Sequence, residues 1–466
     1  MSESESKLPS LPSGSTVADL LMTRLVELGV GRLYGHVEEV GTDACERAGI
    51  RAVPVDDPDL ACLLADADGR IGHRDGTGRL GAAVVGGPVL HLSSCPGGMA
   101  PLQTAGSPED LVDVLASVPG VDVPAATAIH LDLDLEAVLE VAVMPAVEPE
   151  RSLVFTLDPS MASLNLVAVV GPGVVRAGGV EGLKAFARSA GIGIVNSWGA
   201  KGVERWDSPF NFGTAGLQAR DMELAGVPST DIVVASGLDS AELSVASLGN
   251  PVVQEVAPGQ LAALCHRWAG SQPAPEVRPA LYRDLADLVT PLYESDAVPL
   301  SPARAALHLS GALPDGGVAV ADPGPAGLWL ARTFPTSFPG SVCVPATSIA
   351  GFAAAAALVC ALEQRPCLAV SGAGAEGWGS DGSPDPTTDA LMELARGLGV
   401  GLALQVWGTE GSLRSFDDHV SLLKDHLRVA EGATEVRLDP VPVDLSVTAS
   451  LVEIAGPVVA WGGERV

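Results

Sequence analysis

Aromatic residues are scarce in this chain: 3 Tyr, 8 Phe and 7 Trp make up 4% of 466 residues. The apolar fraction is nevertheless 47%, so the interior must be built mostly from Ala, Val and Leu. Basic residues are also few, with 27 Lys and Arg against 57 Asp and Glu, a formal net charge of -30. A surface of that sign repels phosphate backbones and anionic headgroups, which excludes nucleic acid and membrane surfaces as expected partners. The seven cysteines (Cys45, Cys62, Cys95, Cys265, Cys343, Cys360 and Cys367) include no C-x-x-C pair. An odd count without framework spacing fits a reducing cytoplasm, and cysteines set in apolar runs, such as Cys360 and Cys367, read as small buried hydrophobes. Long apolar runs are missing, since Ala353–Val359 is far too short to cross a bilayer. The opening MSESESKLPSLPSGS has no basic segment leading into an apolar one, so no signal peptide is expected and residues 1–15 read as a disordered tail.

What the chain does have is 54 Gly and 36 Pro punctuating recurrent apolar runs. Three α/β blocks follow from that punctuation. In the first, Leu20, Leu21, Leu25, Val26 and Leu28 approximate helical spacing, and Gly29 stops the helix before a strand at Arg32–His36. Further strands are expected at Ala52–Val55, Leu80–Val85, Val89–Ser93 and Ala128–Asp132, with a helix over DLACLLADADGRIG. The second block has strands at Asn165–Val170, Gly193–Asn196 and Asp231–Ser236 around a helix at Val180–Ala190. Residues 269–300 are Pro-rich and mixed, a linker with one short helix. The third block runs from a helix at Pro302–Leu313 through strands at Gly317–Ala321, Pro366–Ser371 and Gly401–Val406, with helices at Gly351–Leu362 and Thr388–Leu398. Alternating strands and helices imply an α/β fold of three consecutive domains with mainly parallel sheets. The boundaries fall at 16–150, 151–268 and 301–466.

Three segments carry a family resemblance. They are TVADLLMTRLVELGVGRLYGHV; then VAVVGPGVVRAG with WGAKGVERWDSPFNFGTAGLQ and TDIVVASG; and then VAVADPGPAGLWLARTFPT with IAGFAAAAALVCALEQRPCLAVSGAG. Together they resemble thiamine-diphosphate-dependent enzymes of the acetolactate synthase and benzoylformate decarboxylase superfamily. The resemblance implies a shortened pyrimidine-binding-like domain (16–150), a central domain (151–268) and a diphosphate-binding-like domain (301–466). It also implies thiamine diphosphate with magnesium as the possible cofactor, and a homo-oligomer (dimer or tetramer) or a complex with a related active enzyme as the assembly.

The departures from the family pattern fall on its chemistry. The family's proton-relaying Glu corresponds to Pro58, flanked by Asp56, Asp57 and Asp59. Asp57 is the weak catalytic candidate, although Asp57-Pro58-Asp59 equally suits a helix cap with Pro in the first turn. The family's Gly-Asp-Gly, whose Asp binds magnesium, reads Gly372-Ala373-Gly374 here. A methyl group cannot ligate a cation that demands oxygen. The Asn of the next strand end corresponds to Trp407, with Gln405 two positions earlier. Gly351, Gly372 and Gly374 remain as places where backbone can approach a cofactor, and Asp381, in a turn-rich insert, is a displaced carboxylate candidate. No metal ligand set is assigned.

His91 and Cys95 invite a nucleophile reading without an evident orienting group. Gly171-Pro-Gly173, Arg176 and Gly237 invite a nucleotide phosphate. The expectation is a non-classical or pseudoenzyme subunit with an assembly, regulatory or small-metabolite-binding role. The alternatives are an active 2-oxo acid decarboxylase or carboligase with a displaced site, and a thiamine-independent enzyme reusing the cleft.

Overall fold

The computed structural model describes residues 14–72, 78–94, 102–118, 125–139, 164–249, 252–265, 273–375, 377–379 and 382–462. The chain divides into two compact units, 1–69 with 79–154 and 70–78 with 155–466.

The first unit contains α1 (Val17–Glu27), β1 (Arg32–Gly35), α2 (Thr42–Ala48), β2 (Arg51–Pro54) and most of α3 (Pro58–Ile71). It continues with β3 (Gly81–Val85), β4 (Val89–Ser93), β5 (Leu102–Ala105), α4 (Pro108–Ser117) and β6 (Ala126–Leu131). A reciprocal pair of hydrogen bonds between Thr16 and Asp19 starts α1, satisfying donors that the first turn leaves free. Its buried face includes Leu20, Leu21 and Leu25, while Val26 turns to solvent. The sheet runs in the order β2-β1-β3-β4-β6-β5. It is mainly parallel, as alternation implied for this block, with β1–β2, β1–β3 and β5–β6 paired parallel and one strand reversed. Strand β4 pairs antiparallel with both β3 and β6. The cause is local: only residues 86–88 separate β3 from β4, and a connection that short can close a hairpin but not a crossover.

The second unit holds two sheets. The first comprises β7 (Leu166–Val170), α5 (Pro172–Arg176), α6 (Val180–Ala190), β8 (Gly193–Ser197), β9 (Asn211–Ala215), α7 (Asp221–Leu224), β10 (Ile232–Ser236), β11 (Val253–Glu255) and α8 (Leu261–Cys265). Its strands, in the order β11-β10-β7-β8-β9, are all parallel. Leu166, Ala168 and Val170 pack into one core and Val167 and Val169 into another. Burial on both faces explains why β7 is an unbroken apolar run.

The other sheet follows α9 (Ala280–Glu294), a helix of 15 residues where the sequence suggested a linker with a short one. It comprises α10 (Pro302–Ala312), β12 (Val318–Ala321), α11 (Pro325–Thr333), β13 (Val342–Cys343), α12 (Phe352–Glu363), β14 (Cys367–Gly372), α13 (Pro386–Leu398), β15 (Leu402–Trp407), α14 (Phe416–Ala430), β16 (Val436–Val441) and α15 (Thr448–Ala455). The order β13-β12-β14-β15-β16 is again parallel throughout. Phe352 through Cys360 are buried without a break, as expected of a helix apolar on every side. Its run of alanines lets the backbone lie close to the neighbouring elements.

A buried ion pair joins α11 to α7 within this unit. Arg332 Nη2 donates to Asp221 Oδ1 at 2.8 Å, to Asp221 Oδ2 at 3.0 Å and to Gln218 Oε1 at 3.0 Å. Gln218 Nε2 in turn donates to the Leu451 and Gly456 carbonyls. Removing one partner strands the other charge in the interior. Arg332→Leu is therefore expected to cost about 3–5 kcal/mol in chemical denaturation, and Arg332→Leu with Asp221→Asn to recover part of that loss. Equal stability of Arg332→Leu and the parent protein would refute the assignment.

Candidate functional site

Open α/β sheets bind ligands beyond the carboxyl ends of their strands, where the strand order reverses. In the second unit those points lie between β7 and β10 and between β12 and β14.

At the first point the chain closes on itself. Gly171 N donates to Ser236 O at 3.0 Å and Gly173 N to Gly237 O at 2.9 Å. A Cβ on Gly171 would lie 2.3 Å from Gly237 O, and one on Gly237 would lie 2.4 Å from Val174 N. Both turns need glycine to pack against each other, so the space offered to a nucleotide phosphate is occupied by backbone. Arg176 is buried.

At the second point the turn after β14 brings Gly372, Ala373 and Gly374 against the residues after β12. Ala373 N donates to Trp407 O at 2.9 Å. A Cβ on Gly324 would meet the Ala375 Cα at 3.1 Å, and one on Gly372 would meet Trp407 O at 2.9 Å. Gly374 adopts φ +87° beside the Pro325 ring, a backbone state that suits glycine. Gly351, at φ +76°, precedes α12 and lies against Thr387. These three glycines thus serve tight turns and close helix contacts.

The sequence reading missed Asp322, the residue that follows β12 here. Its Oδ1 accepts from Ala353 N in the first turn of α12 at 2.8 Å. Among the described residues, Oδ2 has no hydrogen-bond partner, nor have Ser371 Oγ and Trp378 Nε1. Burial pushes the Asp322 carboxyl up to about 7; the Ala353 amide opposes the rise and the Asp385 carboxylate adds to it. The signal available was a lone Asp ending an apolar strand before Pro-Gly-Pro, which also reads as an ordinary turn. Asp385 itself caps α13, accepting from Thr387 N and Thr388 N.

Beside Ala373 lies a cavity of about 450 Å³ lined also by Gly408, Thr409, Glu410, Asp444 and Leu445. Among the described residues its charged groups are the two carboxylates, with no Lys, Arg or His in the lining. Asp444 Oδ1 accepts from Ser446 N and Oγ. Ala373 puts a methyl group where the family resemblance implies a magnesium-ligating carboxylate, so this turn does not supply the oxygen ligand that a magnesium diphosphate needs.

Trp407 and Gln405 face inward. Trp407 packs in the core, and its Nε1 donates to Gln405 Oε1 at 3.1 Å. Gln405 Oε1 also accepts from His419 Nε2 at 2.9 Å. The chain of bonds continues outward: His419 Nδ1 lies 3.1 Å from His308 Nδ1, and Arg304 Nε donates to His308 Nε2 at 2.8 Å. Because Arg304 only donates, every proton along the series is assigned. His308 carries its proton on Nδ1 and His419 carries its own on Nε2. Burial lowers His308 to about 4, with Arg304 assisting, and His419 to about 3, with His308 and His426 assisting. Both rings are neutral near pH 7.

In the first unit, Asp57 Oδ1 accepts from Asp59 N at 2.9 Å and Leu60 N at 3.2 Å, capping α3 with Pro58 as its first residue. His91 has an orienting carboxylate that the sequence reading did not find: its Nε2 lies 3.0 Å from Asp66 Oδ1. Asp66 stands four positions after Cys62 on the same helix face. Cys62 is pushed up to about 12 by burial and by Asp66 and Asp59, which suppresses its thiolate. Cys95 and Asp381 lie outside the described residues. Among the described residues, no group of three or more His, Cys, Asp or Glu is arranged to hold a metal, and no helix is long and apolar enough to cross a membrane.

No family description matches the chain, and no curated protein matches it. Among solved structures, one described as a candidate thiamin diphosphate-dependent enzyme isolated from Mycobacterium smegmatis matches with a TM-score of 0.61. The match has 16% identity and covers 92% of this chain and 99% of that one. The chain has the fold of a thiamine-diphosphate-dependent enzyme. At that identity the likeness establishes architecture, and the chemistry has to be argued from the side chains.

Two titration experiments test the site as described. The unfolded chain binds protons at histidine below about pH 6.5, whereas native His419 refuses them until far lower pH. Stability should therefore fall as pH drops from about 6.5 toward 4, by up to ~1.4 kcal/mol per unit from this residue. Urea melts of His419→Gln should lose that part of the slope; identical slopes would refute the neutral assignment. Asp322 works in the opposite direction, since its raised pKa makes stability fall as pH rises through about 4 to 7. Asp322→Asn should thus be stabilised more at about pH 8 than at about pH 5 relative to the parent, and a gain independent of pH would refute it.

Proposed function

We propose that this chain is a non-classical member of the thiamine diphosphate enzyme fold that does not run the fold's usual cofactor chemistry. Its role would be that of a pseudoenzyme subunit, assembling with its own copies or with a related active enzyme, or binding a small metabolite. The observation that carries this reading is the turn after β14. Ala373 stands where the family pattern has its magnesium-ligating Asp, its amide is engaged by Trp407 O, and among the described residues the charged groups lining the adjoining cavity are Glu410 and Asp444. Supporting it, Pro58 begins a capped helix where the pattern has its proton-relaying Glu. The ylid on which the family's reactions depend is supplied by the cofactor, so a chain that does not hold the cofactor has no route to it.

The test is thermal unfolding of the full chain with and without thiamine diphosphate and magnesium. A ligand at about 100 times its dissociation constant adds ~2.7 kcal/mol to a protein that binds it. No magnesium-dependent rise in Tm is expected, and pyruvate and benzoylformate should be left intact. A clear rise, or turnover of either 2-oxo acid, would overturn the proposal.

A further inference from the structure

A second cavity, of about 820 Å³, opens elsewhere in the second unit, between α6 and the segments that follow α10 and α11. Its volume falls within the range of small-molecule sites. Two of the few aromatic side chains in the protein stand bare on its wall: Trp206 is 51% exposed and Phe338 63% exposed. Their backbones are nonetheless fixed. The Trp206 carbonyl accepts from Tyr282 Oη at 2.9 Å, and the Tyr282 ring is itself covered by the Arg278 guanidinium. The Phe338 amide donates to Thr336 Oγ1 at 3.0 Å, and its carbonyl accepts from Ser341 Oγ at 2.7 Å. Aromatic rings held on anchored backbone and left in water are positioned surfaces for stacking, whose order has already been set before any ligand arrives.

The lining of the same cavity also includes Arg365, only 4% exposed. Its guanidinium donates to three carbonyls: Gly316 O at 2.9 Å, Ile71 O at 2.7 Å and Gly340 O at 3.1 Å. Among the described residues no carboxylate is within ion-pair distance of it, in contrast to the buried Arg70, Arg32 and Arg332. Lys184, at the rim, donates to Glu181 at 2.8 Å. Glu181 is thus paired and Asp315 adds one carboxylate to the lining, whereas the Arg365 guanidinium is solvated by carbonyl dipoles with no ion-pair partner among the described residues, and its charge favours an anion in the space beside it.

We propose that this cavity binds a small organic anion with a planar apolar body, its ring against Trp206 and Phe338 and its carboxylate toward Arg365. The concave shape and the volume favour a small molecule over a protein surface. The site is separate from the sheet ends discussed above, so the proposal stands whether or not thiamine diphosphate binds, and the two are titrated separately.

The experiment is calorimetric titration of the full chain with 2-naphthoate, with 2-naphthamide as the uncharged isostere and inorganic phosphate as the charge without the ring. Naphthoate should bind saturably, and both comparison compounds at least about tenfold more weakly, equivalent to ~1.4 kcal/mol. Trp206→Ala and Phe338→Ala remove exposed side chains and should leave Tm unchanged while weakening naphthoate several-fold. Three outcomes overturn the proposal: no saturable heat from naphthoate, equal binding of the amide, or unchanged affinity in both variants. The isostere comparison decides the role of charge without requiring that an Arg365 variant fold.

Discussion

The second unit depends on one interior ion pair. Arg332 and Asp221 come from helices that flank different sheets, and both charges are almost wholly removed from water. Such a pair is favourable only when the remaining polar atoms are also satisfied. Here Asp221 Oδ2 accepts two backbone amides, from Leu217 and Gln218, and Gln218 goes on to hold the segment at the end of α15; Arg332 Nε alone of the pair's polar atoms has no hydrogen-bond partner among the described residues. The pair therefore fixes how the carboxyl ends of β9 and the helices around β12 lie with respect to each other.

The interior near the ends of β12, β14 and β15 is polar yet short of net charge. Burial moves Asp322 toward its protonated form, and the two imidazoles on the outward path from Gln405 carry no proton beyond their neutral complement near pH 7. Low polarity of the surroundings drives both shifts, in each case toward the uncharged form.

Much of the architecture was legible because it rests on periodicity and glycine punctuation. α6 was placed at its observed bounds, and β7, β8, β10, β12 and β15 within a residue or two, since strands buried on both faces write themselves as apolar runs. Strand β5 and helix α4 were missed: Leu102–Ala105 shows little alternation and lies at a sheet edge with two of its four residues exposed. The site was less readable. Ala373, Pro58 and Trp407 could be flagged by comparison with a motif, but Asp322, His308 and His419 gain meaning only from partners 31 and 111 positions away. Single-chain pattern reading carries no information on such pairings. The same holds for Asp66, whose link to His91 spans 25 positions between a helix and a strand.

The β3–β4 hairpin reorients what comes after it. In a crossover, a chain returns to begin each strand at the same border of the sheet, so that successive loops gather along one rim. By pairing Gly81 with Ser93, the hairpin delivers Ser94 to the rim where β3 starts, opposite the one where β1 and β3 finish. One reversal of direction therefore turns the end of β4 away from the rim at which the parallel strands β1 and β3 finish.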